Sequence, residues 1–315
     1  MSIRVRLRGR WAASLVVVTA AGVLAAGCGS GGSGGSGGGG TGKTAARYDT
    51  IEPGVLKVAV ESYMPYTALR GGKLVGLDSD IIDAIAKKLD LKVEPQLTDF
   101  NGMLGGVQSR RVDITVGGVA WSKERQEQGL FTDPPYYSPP AMGVQSGKTY
   151  STIDNLQGLR LGTVTGYVWV KSIKAVPKAK LSAYPNATGV FDDLGSGRLD
   201  VGFLDPLLLI YQQKQRPDQK IQTLYLTPPT DQQVKQHPAY EFFRSYMTSF
   251  YLPKQEPKLE KAISAQIRAM YTSGEMAKLI TKWGGNPAKF LSPSEWMAGM
   301  RRGVDRPADW VPPSA

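Results

Sequence analysis

The chain has 315 residues, enough for two compact lobes with separate cores. Its formal charge is +11, but the basic residues are scattered, and no arginine-rich helix or interleaved aromatic run reads as nucleic-acid binding. One cysteine and one histidine exclude an intrachain disulfide, a thiol–histidine catalytic pair and a zinc site, so no metal or other cofactor is expected. Any chemistry falls to carboxylates, lysines, arginines and hydroxyls.

Residues 1–28 begin with Arg4, Arg6, Arg8 and Arg10 and continue as an apolar run from Trp11 to Val23, ending in Leu24-Ala25-Ala26-Gly27-Cys28. The run is short for a membrane span and is followed by small residues, the pattern of an export signal. Its last five residues resemble the lipobox of bacterial lipoproteins, where cleavage precedes the cysteine and the sulfur takes a diacylglyceryl group. Cys28 is therefore the expected lipidation site and membrane anchor. Residues 29–48 are rich in Gly, Ser and Thr and read as a flexible tether with a reach of roughly 25 Å. Within it, residues 37–44 match the G-x-x-x-x-G-K-[ST] phosphate-loop pattern. That mechanism needs a preceding strand and a following helix, and neither is expected, so ATP binding there is rejected.

The folded part is expected from about Asp49. Val55 to Val60 reads as a strand, with a loop from Glu61 to Tyr66 at its carboxyl end. Asp78 or Ser79 is a candidate cap for a helix with Ile81, Ile82, Ile85 and Leu89 on one face. Leu91 to Leu97 reads as a strand and Phe100 to Gln108 as a helix. Val112, Ile114 and Val116 then alternate as a third strand, giving βαβαβ, a parallel sheet and ligands at the strands' carboxyl ends. Gly117 and Gly118 remove two side chains there, letting another group approach the backbone. Ser122 is an N-cap candidate for a helix over 123–126. Helix-start N–H groups and the Arg125 guanidinium make this stretch an expected anion-receiving shelf.

After a crossover near Ser138–Val144 the pattern repeats. Strands are expected at Leu159–Val164, Lys180–Tyr184 and Leu199–Leu204, and helices at Val168–Ala175, Gly189–Leu194 and Pro206–Gln213. The segments 109–114 and 196–201 look like one element used in both lobes. A second crossover is expected near Phe243–Met247, followed by helices at Pro257–Tyr271 and Glu275–Trp283. The segment from Pro293 shows no period and is assigned no function.

Fragments of this chain, taken in order, are similar to the bacterial extracellular solute-binding proteins of family 3, the polar amino-acid receptors of ABC importers. They include Gly72-Lys-Leu-Val-Gly-Leu-Asp78, Asp99-Phe-Asn-Gly-Met-Leu104, Arg111-Val-Asp-Ile114, Ser122-Lys-Glu-Arg125, Phe131-Thr-Asp133, Gly197-Arg-Leu-Asp200, Leu204-Asp205 and Lys282-Trp-Gly284. The resemblance implies an α/β, two-lobed periplasmic-binding-protein-like fold of type II, with parallel-sheet lobes joined by two hinge strands. Lobe 1 would comprise 49–140 plus 246–292, lobe 2 141–245, and a tail 293–315.

Carried over residue by residue, Arg125 would clasp a ligand carboxylate and Asp205 its ammonium. Tyr63 and Phe100 would form aromatic walls, Gly118 would offer backbone groups, and Thr163 and Thr165 would add polar contacts. Ala120 stands where the family often has a hydroxyl, followed by bulky Trp121, and Glu61 lies one position off the usual acid. The implied function is a lipid-anchored, extracytoplasmic monomer without catalytic activity. It would bind an amino acid or related zwitterion, such as a betaine, and hand it to an ABC permease. The alternatives are a cyclohexadienyl dehydratase-like enzyme using Glu61 as its acid, or a sensory receptor on the same fold.

Overall fold

The computed structural model describes residues 47–315. The expected export signal, Cys28, the phosphate-loop-like stretch and nearly all of the tether lie outside the described residues. Among the described residues no helix is long and apolar enough to cross a membrane.

Two five-stranded sheets organise the rest. Strand β1 (Val55–Val60) is followed by the hairpin β2 (Ala68–Arg70) and β3 (Lys73–Val75), then by helix α1 (Leu77–Lys88). Next come β4 (Lys92–Leu97), α2 (Phe100–Gln108) and β5 (Ile114–Thr115). β1 pairs in parallel with β4 on one side and β5 on the other. A short α3 (Lys123–Gln126) and β6 (Leu130–Phe131) lead into β7 (Tyr136–Ser138) and β8 (Ala141–Gln145). The second sheet repeats the scheme with β9 (Arg160–Val164), α4 (Trp169–Lys174), β10 (Lys180–Tyr184), α5 (Ala187–Gly195) and β11 (Val201–Gly202). Here β9 is the parallel centre between β10 and β11. Then come α6 (Pro206–Gln215), β12 (Ile221–Tyr225), α7 (Asp231–Gln236), β13 (Tyr246–Thr248) and β14 (Tyr251–Leu252).

Neither sheet is wholly parallel, contrary to the expectation. β14 runs antiparallel beside β5, and β8 antiparallel beside β11, because both follow a crossover and enter their sheets from the far end. The crossovers themselves meet: β7 and β13 pair as an antiparallel two-stranded ribbon linking the lobes.

The likeness of 109–114 to 196–201 has a structural cause. Asp113 accepts a hydrogen bond from the Lys57 N–H (2.8 Å) while its own N–H donates to the Lys57 carbonyl. Asp200 does the same with Arg160. Each aspartate thus ties the third strand of its lobe to the first, which fixes the register of the loops beyond.

One cap expectation is corrected. Helix α1 starts at Leu77 and is capped by Gly76, with no side-chain cap bond. Gly76 has φ 132°, and a Cβ there would lie 2.2 Å from the Tyr66 carbonyl oxygen, so the chain turns into the helix earlier than the Asp78 or Ser79 signal suggests. Asp78, buried within the first turn, instead accepts from the N–H groups of Gly117 (2.8 Å) and Gly118 (2.9 Å). The apolar stripe of α1 is as expected: Ile81, Ile82 and Ile85 are fully buried, each contributing about 1.5–3 kcal/mol.

The C-terminal part is more ordered than its aperiodic sequence implies. After α8 (Pro257–Thr272) and α9 (Glu275–Lys282) come α10 (Pro287–Phe290) and α11 (Glu295–Arg301). Arg301 is fully buried, donating to the carbonyls of Phe131 and Thr132 and pairing with Asp305 at 2.6 Å. Arg306 bonds Asp133 and Glu260, and the hydroxyl of Tyr137, in ribbon strand β7, donates to the Pro313 carbonyl. The segment from 293 onward is therefore packed against the root of the ribbon.

Candidate functional site

The carboxyl ends of the parallel strands in both sheets face one cleft. From the first lobe, the loop after β1 brings Glu61 and Tyr63, the start of α2 brings Phe100, and the turn after β5 brings Gly118 and Ala120. Phe100 is held there because Asp99 caps α2, accepting from the Gly102 N–H at 2.7 Å. Arg125 is presented by α3, whose expected cap forms: Ser122 Oγ accepts from the Arg125 N–H at 3.3 Å. From the second lobe, the turn after β9 brings Tyr167, Val168 and Trp169, and the loop after β11 brings Asp205. Tyr246 of the ribbon closes the back.

Phe100, Gly118, Ala120, Arg125, Tyr167, Val168, Trp169, Asp205 and Tyr246 together line a cavity of about 10 Å³. That is space for about one water, so a ligand the size of an amino acid enters only when the lobes separate. A wider outer cavity of about 590 Å³ adjoins it, with Arg125, Tyr167 and Val168 common to both.

The charged groups are held across the cleft by neutral partners. Arg125 donates to the Ala120 carbonyl of its own lobe (2.7 Å) and the Gly166 carbonyl of the other (2.9 Å), its guanidinium 5.1 Å from the centre of the Phe100 ring. Asp205 accepts from the hydroxyls of Tyr63 (2.7 Å) and Tyr246. Tyr167 donates its hydroxyl to Glu61 at 2.8 Å. At the rim, Lys171 of the second lobe pairs with Glu124 of the first.

Burial without a counter-ion in contact moves these groups. Burial raises the Asp205 carboxyl to about 6, against the opposing pull of the two tyrosine hydroxyls and Arg125. It raises Glu61 to about 7, with the charges of Asp205 and Asp99 adding to it and the Tyr167 hydroxyl opposing. Asp78 is likewise raised to about 7, despite two backbone N–H donors. Arg125 is lowered by burial to about 10, still a cation at neutral pH.

The remaining expected site residues are placed as follows. Gly118 approaches the other lobe closely: a Cβ there would lie 3.3 Å from Asp205 Oδ2 and 3.4 Å from the Tyr63 ring. Its N–H is already bonded to Asp78, so it has no free donor to offer. Thr163 and Thr165 do not line the cavity. The Thr163 hydroxyl is buried on the Phe203 carbonyl at 2.9 Å, and Thr165 is exposed. Gly166, with φ 87°, turns the chain so that Tyr167 points inward in their place. Glu61 is screened from the cavity by Tyr167. Trp121 faces the C-terminal segment, donating its indole N–H to Asp305 at 3.3 Å.

Tyr167, Val168, Trp169 and Tyr246 were not expected here. The aromatic run from Tyr240 to Tyr251 was the only sequence signal near Tyr246, and nothing local marked Trp169.

A model of the bacterial extracellular solute-binding proteins, family 3, matches residues 56–286. The chain belongs to this family. The match ends before α10 and α11, so the segment packed on the ribbon root lies beyond it. Among curated relatives, this solute-binding protein is 27% identical over 227 residues to the probable amino-acid-binding protein YxeM of Bacillus subtilis (strain 168), covering 71% of this chain and 80% of that one. It is 27% identical over 239 residues to the L-cystine-binding protein TcyJ of Escherichia coli (strain K12), covering 74% and 84%. Among solved structures, an ancestral arginine-binding protein bound to arginine superposes with a TM-score of 0.64 at 28% identity, covering 74% of this chain and 99% of that one.

Proposed function

We propose that the protein is a receptor that closes its two lobes on an amino acid or a related zwitterion and delivers it to an ABC importer. The observation that carries this reading is the meeting of Arg125, from the first lobe, with Asp205, from the second, at one interlobe cavity. A buried zwitterion needs a partner for each charge, and splitting the partners between lobes makes closure depend on ligand. In this reading the ligand carboxylate takes the Arg125 N–H that now donates to the Gly166 carbonyl. The ligand nitrogen sits against Asp205 with Phe100 beside it, while the expected wall residue Tyr63, which does not line the cavity, holds Asp205 from behind. The printed names of the relatives, amino-acid-binding and L-cystine-binding, support the same class.

The dehydratase-like alternative is less well supported, because the Glu61 carboxyl is capped by the Tyr167 hydroxyl and does not line the cavity. Anchoring through Cys28 rests on the lipobox-like Leu24–Cys28 and the tether behind it. Cys28→Ala should shift the chain out of the membrane fraction, and unchanged acyl labelling of that variant would remove the anchor.

The test of the ligand class is a thermal-shift screen of the purified protein against amino acids, betaines, small carboxylates and neutral sugars. A true ligand at about a thousand times its dissociation constant should add roughly 4 kcal/mol. Stabilisation by neutral solutes alone would overturn the reading.

A further inference from the structure

The rings around Asp205 form a continuous chain. Phe100 and Tyr167 lie 4.6 Å apart between centroids, Tyr167 and Trp169 6.0 Å, and Trp169 and Tyr246 5.6 Å. Every polar edge among them is already engaged by protein. The Tyr167 hydroxyl is on Glu61, the Tyr246 hydroxyl on Asp205, and the Trp169 indole N–H on the Phe242 carbonyl at 3.0 Å. What the rings offer the cavity is therefore hydrocarbon and π surface. Among the described residues lining it there is no Ser, Thr, Asn or Gln, and Asp205 is the only carboxylate, each of its oxygens already accepting from a tyrosine hydroxyl.

This environment discriminates between kinds of cation. A primary ammonium brings three N–H donors and a guanidinium five, and each donor left unpaired in a closed cleft is costly. A fully alkylated ammonium brings none. It needs only a negative charge and π faces, which is how aromatic cages hold quaternary nitrogen. Resting on the zwitterion reading, we propose that the ligand's nitrogen is N-alkylated, as in a betaine, with Asp205 as its counter-charge and Tyr167, Trp169 and Tyr246 as its cage.

The test is calorimetric titration of the full protein with two matched series. One runs from glycine through its mono- and dimethyl forms to trimethylglycine, the other from proline to dimethylproline, with L-arginine as a separate arm. Affinity should rise with methylation, the fully alkylated member binding at least tenfold tighter than its parent in one or both series and tighter than arginine. Trp169→Leu should remove most of that preference, leaving the parent within about threefold, while Trp169→Phe should retain it; circular dichroism verifies that both fold. Tighter binding of the unmethylated parent in both series, or of arginine over every methylated form, would overturn the alkylated-nitrogen proposal and leave the zwitterion reading standing. No binding by any member of either arm would overturn both.

Discussion

Beneath helix α11 each nitrogen of the buried Arg301 guanidinium meets an oxygen, and Asp305 lies against it as a counter-ion; in the cleft Arg125 is stacked on a ring and bonded to two carbonyls, while Asp205 and Glu61 rest on hydroxyls and Asp78, buried behind the Gly117–Gly118 turn, on backbone N–H groups. In the first cluster charge meets charge within the protein: burial and the nearby Arg306 lower Arg301, but Asp305 and Asp133 oppose them, and the closed packing leaves no place for an outside ion. In the second, each charge is held by dipoles alone, so its burial is only partly offset. The raised carboxyls of the cleft, Asp205 and Glu61, are the visible consequence. A charged ligand can improve the cleft and cannot improve the C-terminal cluster. That difference separates a site built to exchange partners from one built to stay shut.

The contrast can be broken most readily at Arg301. Arg301→Met leaves Asp305 with only the more distant Arg306, 3.8 Å away, and the buried Thr132 carbonyl without a donor, and should cost about 3–5 kcal/mol in urea unfolding. Ligand affinity at 25 °C should be unchanged. A loss below about 1 kcal/mol would mean that the C-terminal cluster is as poorly compensated as the cleft.

The opposite sign is expected at Glu61. Its folded carboxyl titrates near 7, above the ordinary 4.5, so the stability linked to its neutral form is fully present below about 4.5 and lost as pH rises through about 7. Gln mimics that neutral form and can still accept from Tyr167. Glu61→Gln should therefore stabilise the protein by about 1–3 kcal/mol at pH 8 and hardly at all at pH 4.5. Equal unfolding midpoints for the two proteins at pH 8 would show that the cleft charge carries no penalty.

Strands were legible at both the centre and the edge of a sheet: the largely buried β1 and the half-exposed edge strand β10 fall where the sequence reading put them, at Val55–Val60 and Lys180–Tyr184. The Ser122 cap and the Gly117–Gly118 pair were likewise local signals, and they bring Gly118, Ala120 and Arg125 to the edge of the cavity that Phe100 and Asp205 also line. The cage rings were not legible. Whether Thr165 or Tyr167 faces inward depends on the positive φ of Gly166, and the Trp169 ring is oriented by a carbonyl 73 residues away. Asp78 misled for a related reason, since its partners belong to a turn nearly forty residues further on. The C-terminal segment was opaque because a fully buried arginine looks like a surface residue until its counter-ion is placed beside it. In the cleft, sequence separation hid the partners. In the C-terminal segment, residue type hid the burial.

The claim that the cleft grips a zwitterion by splitting its charges between lobes is tested most directly at Asp205. The measurement is the calorimetric affinity of the tightest zwitterion from the screen for wild type and for Asp205→Asn, which keeps the side chain's shape and removes its charge. The account predicts a loss of about 2–5 kcal/mol, a factor of roughly thirty or more, because the ligand's cation is then buried without a counter-charge. An affinity within threefold of wild type would contradict it.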